Sequence, residues 1–144
     1  MKISTKGRYA LRMLVDLGEH RNEGFIALKD TAKRQEISKK YLEQIVPTLN
    51  QSGLLISNRG FQGGYQLAED PSKITVGQVL RLTEGSLAPV VCLEKGQECS
   101  RSAFCETLPV WKGLYRVVND YLDSITLQDV IDQAEANEVD NYVI

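Results

Sequence analysis

At 144 residues, with 42% hydrophobic and 25% charged side chains and a net charge of −2, the chain has the make-up of one soluble globular domain with room for an appendage. Its apolar runs are short and the leading MKISTKGRYALRML has no apolar signal core, so a cytoplasmic protein with reduced thiols and no membrane span is expected. A single histidine, no partnered nucleophile and no G-x-x-x-x-G-K-S/T loop argue against an enzyme. The small net charge hides a division: residues 1–75 hold 12 Lys and Arg against 8 Asp and Glu, whereas residues 76–144 hold 5 against 11. The front half is therefore the one suited to a polyanion.

In GRYALRMLVDLGEH, Ala10, Met13, Leu14 and Leu17 recur at i, i+3, i+4 and i+7, and Leu11 and Val15 widen that helical face. Asn22 and Gly24 end it. Leu28 and Ala32 mark a short second helix, Ile37 and Ser38 a turn, and Leu42, Ile45, Val46 and Leu49 an amphipathic third helix capped by Ser38. Two short helices joined by a tight turn form a helix-turn-helix. Glu36 occupies the turn position that favours glycine, so a positive φ there would add a small strain. Pro47 predicts a kink, leaving a rigid N-terminal piece of roughly two turns. Leu54–Ser57 and Tyr65–Leu67 then flank NRGFQGG, a hairpin in the position of a wing. Pro71 closes the unit, and Thr75 with Gln78 caps a fourth helix carrying Val76, Val79, Leu80 and Thr83.

Residues 85–106 have no sustained period. Beyond them Leu108, Trp111, Tyr115, Val118, Leu122 and Ile125 form a heptad seam, with Val110, Leu114, Val117 and Tyr121 as a second apolar stripe. A helix with two stripes needs two partners, the second being a second subunit. Thr126–Ala134 reads as a short final helix, and ANEVDNYVI has no assignment. The expected fold is mainly α with a small β-hairpin wing: a winged helix-turn-helix DNA-binding domain (1–84), a cysteine-containing loop (85–107), and a long dimerisation helix with a C-terminal segment (108–144).

The outer face of the third helix offers Lys39, Lys40, Tyr41, Glu43, Gln44 and Thr48, preceded by Ser38. In a major groove, Gln44 can bond adenine bidentately and Glu43 can accept from cytosine, while Lys39 and Lys40 meet phosphates. Arg59, beside Gly60 at the wing tip, suits a narrow minor groove. Arg8 and Tyr9 suit either phosphate support or the core. The competing reading is a protein-binding adaptor whose lysines and Arg59 merely face solvent. His20, at the end of the first helix, suits a cap rather than a ligand.

All three cysteines fall in CLEKGQECSRSAFC, as Cys92-x6-Cys99-x5-Cys105. Their neighbours are charged and small, unlike those of buried structural cysteines. A structural zinc site lacks its close C-x2-4-C pair, and a thioredoxin-type C-x-x-C is absent. Three thiolates at long spacing suit an iron–sulfur cluster completed by a further ligand; a metal-free thiol sensor and incidental cysteines are the alternatives.

Taken together, MKISTKGRYALRML, ISKKYLEQIVPTLNQSGLL, RGFQGGYQLA, ITVGQVLRLTEG and the cysteine stretch resemble the Rrf2 family of bacterial transcription regulators, and most closely its iron–sulfur biogenesis branch. The resemblance covers roughly residues 1–135. It implies a homodimer, most simply a repressor, on a pseudo-palindromic operator in double-stranded DNA, paired through the helix at about Leu108–Ser124. It also implies cluster ligation by Cys92, Cys99 and Cys105, with 2Fe–2S expected ahead of 4Fe–4S. Other members carry no cluster and regulate cysteine metabolism. Where the biogenesis regulator has a ligand histidine this chain has Leu108, and where the nitric-oxide-sensing type has an aspartate it has Arg8. The fourth ligand is thus unassigned, with Glu94, Glu98 and Glu106 as carboxylate candidates.

Overall fold

The computed structural model describes residues 1–142. Its centre is α1 (Thr5–Glu19), against which α2 (Leu28–Gln35), α3 (Lys39–Gln51), α4 (Val76–Glu84) and α6 (Leu127–Tyr142) all pack. The apolar periodicity of α1 explains this: Ala10, Met13, Leu14 and Leu17 are fully buried and meet Leu42, Ile45 and Leu49 of α3 in one core. Ser4 caps α1 by accepting from the Gly7 amide at 3.1 Å and donates its own hydroxyl to Glu84 at 2.6 Å, tying the start of α1 to the end of α4.

The turn between α2 and α3 does carry a positive φ at its glycine-favouring position. Glu36 has φ 54°, and the Ile37 amide bonds back to the Ala32 carbonyl at 3.0 Å. Ser38 caps α3 by accepting from the Tyr41 amide at 3.2 Å. Pro47 does not interrupt α3, which runs its 13 residues as one helix. Its ring lies on the exposed face, so the carbonyl it leaves without a helical donor is on the side open to water.

β1 (Leu55–Asn58) and β2 (Gly64–Leu67) pair antiparallel with Leu55 opposite Leu67 and Asn58 opposite Gly64. Each strand is displaced or extended by one residue from the span expected. A third rung lies outside the hairpin: Ile26 and Tyr65 exchange two backbone hydrogen bonds of 2.9 Å, so the wing is fastened to the segment before α2. Gly64 permits this approach, since a Cβ there would sit 2.2 Å from the Ile26 carbonyl oxygen.

α5 (Leu108–Ser124) has the two stripes set by its heptads, and they have different fates. On the first, Leu108 is buried and Tyr115, Val118, Leu122 and Ile125 are half-buried; Trp111 lies at the margin, 36% exposed. Leu122 and Ile125 join Val76, Leu80 and Leu87 in a second apolar cluster. On the second, Val110, Val117 and Tyr121 are 60–63% exposed and Leu114 is 39% exposed. The final helix is longer than the expected 126–134. Thr126 and Asp129 cap it reciprocally, each side-chain oxygen accepting from the other's amide at 3.1 and 2.9 Å, and nothing in AEANEVDNY breaks a helix. Residues 143 and 144 of the expected C-terminal segment lie outside the described residues. Thr75 and Thr126 form an isolated bridge, with Val76 N to Ile125 O at 2.8 Å and Leu127 N to Ile74 O at 2.9 Å. This returns α6 to the body, where Leu127 and Ile131 are buried. Among the described residues no helix is long and apolar enough to cross a membrane.

Candidate nucleic-acid interface and thiol loop

The third helix presents its polar face outward. Lys39, Lys40, Glu43 and Gln44 are exposed in its first turn and a half, and Ser38 stands exposed at its cap. Lys39 lies 3.9 Å from Glu43, which offsets part of the repulsion that a carboxylate brings to a phosphate-rich surface. Tyr41 is less free. Its ring is half-buried and meets Tyr9 edge-on at 5.3 Å, while Arg12 lies over the Tyr9 ring at 5.3 Å. The Tyr9 ring thus packs against the core. Thr48 is half-buried and accepts from Lys6 Nζ at 3.3 Å. Lys6 adds a cation beside α3 that helical periodicity did not nominate.

A buried carboxylate ties α1 to α2, the helix that leads into α3. Asp16 is 1% exposed and receives Arg34 bidentately at 2.9 and 2.7 Å, Thr31 at 3.1 Å and Gln35 at 3.2 Å. Burial pushes its carboxyl up, but these hydrogen bonds and the Arg34 charge outweigh that and hold it below the ordinary aspartate value. Arg12 donates to the Gln35 side chain at 3.3 Å and also to its backbone carbonyl.

Arg59 and Gly60 are exposed at the wing tip, as expected, with Gly60 at φ 97° and Gln62 at φ 63°. A groove between the wing, the start of α2 and α3 gathers Lys29, Lys39 and Arg59 with Asn50 and Asn58. Lys29 is a second cation that the sequence reading left out; the basic front half was its only signal. Phe61, at the apex of the wing, is 96% exposed.

The cysteine stretch stays outside the core. Cys92 sits in a short 3₁₀ turn at Val91–Leu93 and is half-buried, Cys99 is exposed, Cys105 is half-buried, and all three are free thiols. Cys105 lies just before α5, with its sulfur 3.5 Å from Thr107 Oγ1. That hydroxyl, the Thr107 and Leu108 amides and the Arg101 charge lower its thiol below the ordinary value against a small opposing effect of burial. The donor set fits an iron–sulfur cluster in kind: three unpaired thiols on a loop with little regular structure, one of them already biased toward thiolate. It is not gathered. Among the described residues, the one group of three or more ligand-type side chains within 4.8 Å is Asp16, Glu19 and His20, and Asp16 there is engaged by Arg34. His20 occupies the C-cap of α1 and pairs with Glu23, the capping role expected of it. Leu108 is buried and packs as an ordinary apolar side chain. Glu94, Glu98 and Glu106 all lie on the loop, Glu98 and Glu106 exposed and Glu94 half-buried.

Comparison with known proteins agrees with this geometry. Residues 3–133 match the model of the Rrf2 family, described as iron-dependent transcriptional regulators. Protein rrf2 of Nitratidesulfovibrio vulgaris is 41% identical over 93% of this chain and 89% of its own. The HTH-type transcriptional regulator CymR of Bacillus subtilis is 38% identical over 96% of this chain and 95% of its own. The solved structure of that protein, described as the global cysteine regulator of B. subtilis, superposes with a TM-score of 0.76 over 92% of this chain and 98% of its own. The structure of T. potens IscR, 39% identical, also gives 0.76, over 95% and 90% of the two chains.

Proposed function

The chain belongs to the Rrf2 family of transcriptional regulators, DNA-binding proteins rather than enzymes, and from that premise we propose that it is a homodimeric cytoplasmic repressor whose cysteine loop senses iron–sulfur or redox status. The division of labour is the one expected from the sequence: residues 1–84 read DNA, 85–107 sense, and the segment from 108 onward pairs the subunits. α3 enters the major groove, where Gln44 and Glu43 meet base edges and Lys39, Lys40 and Lys29 meet phosphates. Arg59 reaches the adjoining minor groove. Pairing through the exposed stripe of α5 sets two such units on a twofold axis, which suits a pseudo-palindromic operator.

Cys92, Cys99 and Cys105 would hold the cluster, with one of the loop carboxylates or an exogenous group as fourth ligand. When bound there, a cluster of the 2Fe–2S type supplies a centre labile to oxidants, whose loss frees the loop. The observation carrying this reading is that every thiol of the chain lies unpaired on one exposed loop abutting the pairing helix. Anaerobic purification with visible absorption, iron and sulfide assays tests it. Stoichiometric iron and sulfide that fall in Cys92→Ala support it; an iron-free protein after reconstitution, with DNA binding unchanged in Cys92→Ala, rejects it.

A second reading is favoured by the depressed Cys105 thiol and by the similarity to CymR: a cluster-free regulator responding to thiol oxidation or cysteine metabolism. It expects peroxide-dependent disulfides and no iron. Family membership sets aside the adaptor that binds protein alone.

A further inference from the structure

The geometry points to Phe61 as a minor-groove wedge: an apolar side chain that enters beside Arg59 and makes the protein prefer sites containing an easily opened base step. The inference rests on the DNA-binding reading and adds a reader to it.

Phe61 is the most exposed large hydrophobic residue of the described chain, at 96%, and no core contact accounts for it. It is also not a loose ornament. Its turn is closed by a Gly63 amide to Gly60 carbonyl bond of 2.9 Å and shaped by positive φ at Gly60 and Gln62. The hairpin below is fixed on one side by the β1–β2 ladder and on the other by the Ile26–Tyr65 rung. The apex therefore presents one ring on a stiff mount.

Charge decides which way the DNA backbone approaches. One flank of the wing carries Lys29, Lys39 and Arg59. The groove on the other side of the wing, which is the one that Phe61 lines, carries Glu23 and Asp30. Phosphates are drawn to the first and repelled from the second, so the backbone is held on the Arg59 side of the apex and Phe61, across from it, is kept off the phosphates and free to meet bases of the groove beside the one that α3 occupies. Apolar side chains so placed enter between base steps and kink the duplex toward the major groove, at lowest cost at pyrimidine–purine steps. A protein partner would serve an exposed Phe equally well, but Arg59 on the same wing, with Lys29 and Lys39 of the neighbouring helices, favours nucleic acid.

The test uses the full-length protein and a 40-base-pair duplex that the wild type selects from a random-sequence pool. Phe61→Ala is expected to melt at the wild-type temperature, since the ring buries nothing, and to bind that duplex about tenfold more weakly. Its salt dependence keeps the wild-type slope, whereas Arg59→Ala lowers the slope by about one. Circularly permuted fragments show a smaller bend for Phe61→Ala and a restored one for Phe61→Leu, and sites selected anew by Phe61→Ala lose the pyrimidine–purine preference under the wing. Wild-type affinity and bend in Phe61→Ala would overturn the wedge alone and leave the ring to a protein partner. Failure of the wild type to select any duplex would overturn the operator reading and the wedge with it.

Discussion

Asp16 and Arg34 show how much one buried pair can govern. They stand 18 residues apart on different helices, with no local pattern joining them, so the sequence announced neither the pair nor its role in tying α1 to α2. Replacing Arg34 with Met leaves a buried carboxylate without its cation and is expected to cost about 2 kcal/mol, less than for a fully enclosed pair because the Arg34 side chain is 35% exposed. A carboxyl held below its ordinary value contributes stability that is complete above that value, near pH 4, and is lost as pH falls through the folded-state value. The deficit of Arg34→Met in urea unfolding should thus be largest at neutral pH and shrink below about pH 4; a deficit constant from pH 7 to 3 would remove Asp16 as its source. On the DNA side, Gln44→Ala is expected to relax preference at one base position by about 1–3 kcal/mol. Lys40→Ala should weaken all sequences alike and lower the salt slope by about one. Binding titrations on cognate and singly substituted duplexes separate the two.

Elements with strong periods were readable in advance. α1, α3 and α5 occupy the spans that their apolar spacing marks, and the two stripes of α5 divide into a half-covered one and an uncovered one. What escaped was carried by single residues or by weak patterns. The rung between Ile26 and Tyr65 is one residue long on one side and has no period at all. The last seven or so residues of α6 lack an apolar stripe and extend on propensity and capping alone. The exposure of Lys39, Lys40, Glu43 and Gln44 was legible because it follows from helical phase, whereas the half-burial of Tyr41 and Thr48 and the nearness of Lys6 and Lys29 arise only through tertiary folding. For the proposed pairing through α5 the uncovered stripe gives a direct test. Val117→Lys together with Tyr121→Lys adds charge where burial against a second subunit is expected, and sedimentation should show a monomer that keeps its helix content. A dimer unchanged by both substitutions would move the interface elsewhere.

Across the whole molecule, α5 joins the cysteine loop to α4 through few contacts, which makes it the route between sensing and reading in the function proposed above. Arg81 grips Asp123 bidentately at 2.8 Å and reaches Asn119 at 2.8 Å, and Gly77 allows α4 to approach so closely that a Cβ there would lie 2.2 Å from Asp123 Oδ1. Both partners are more than a third exposed, so Asp123→Ala should change stability by less than about 1 kcal/mol. Its expected effect is on communication. Wild-type DNA affinity should differ by roughly 5–150-fold between the two chemical states of the loop, and in Asp123→Ala the ratio should fall toward one. Electrophoretic titrations on anaerobic and oxidised protein measure both ratios, and a variant that retains the wild-type ratio would place the route outside this clamp.

The bridge between Thr75 and Thr126 adds a mechanical consequence. With that seam and the Arg81 clamp both at its C-terminal end, α5 is hinged like an oar at the rowlock, its blade end next to Cys105. Seventeen residues span about 25 Å, so a tilt of about 5° at the fulcrum sweeps the blade through about 2 Å. In the proposed scheme, gathering three sulfurs at the blade would thus be geared down before it reached the hull, and what would arrive there is a change of slope.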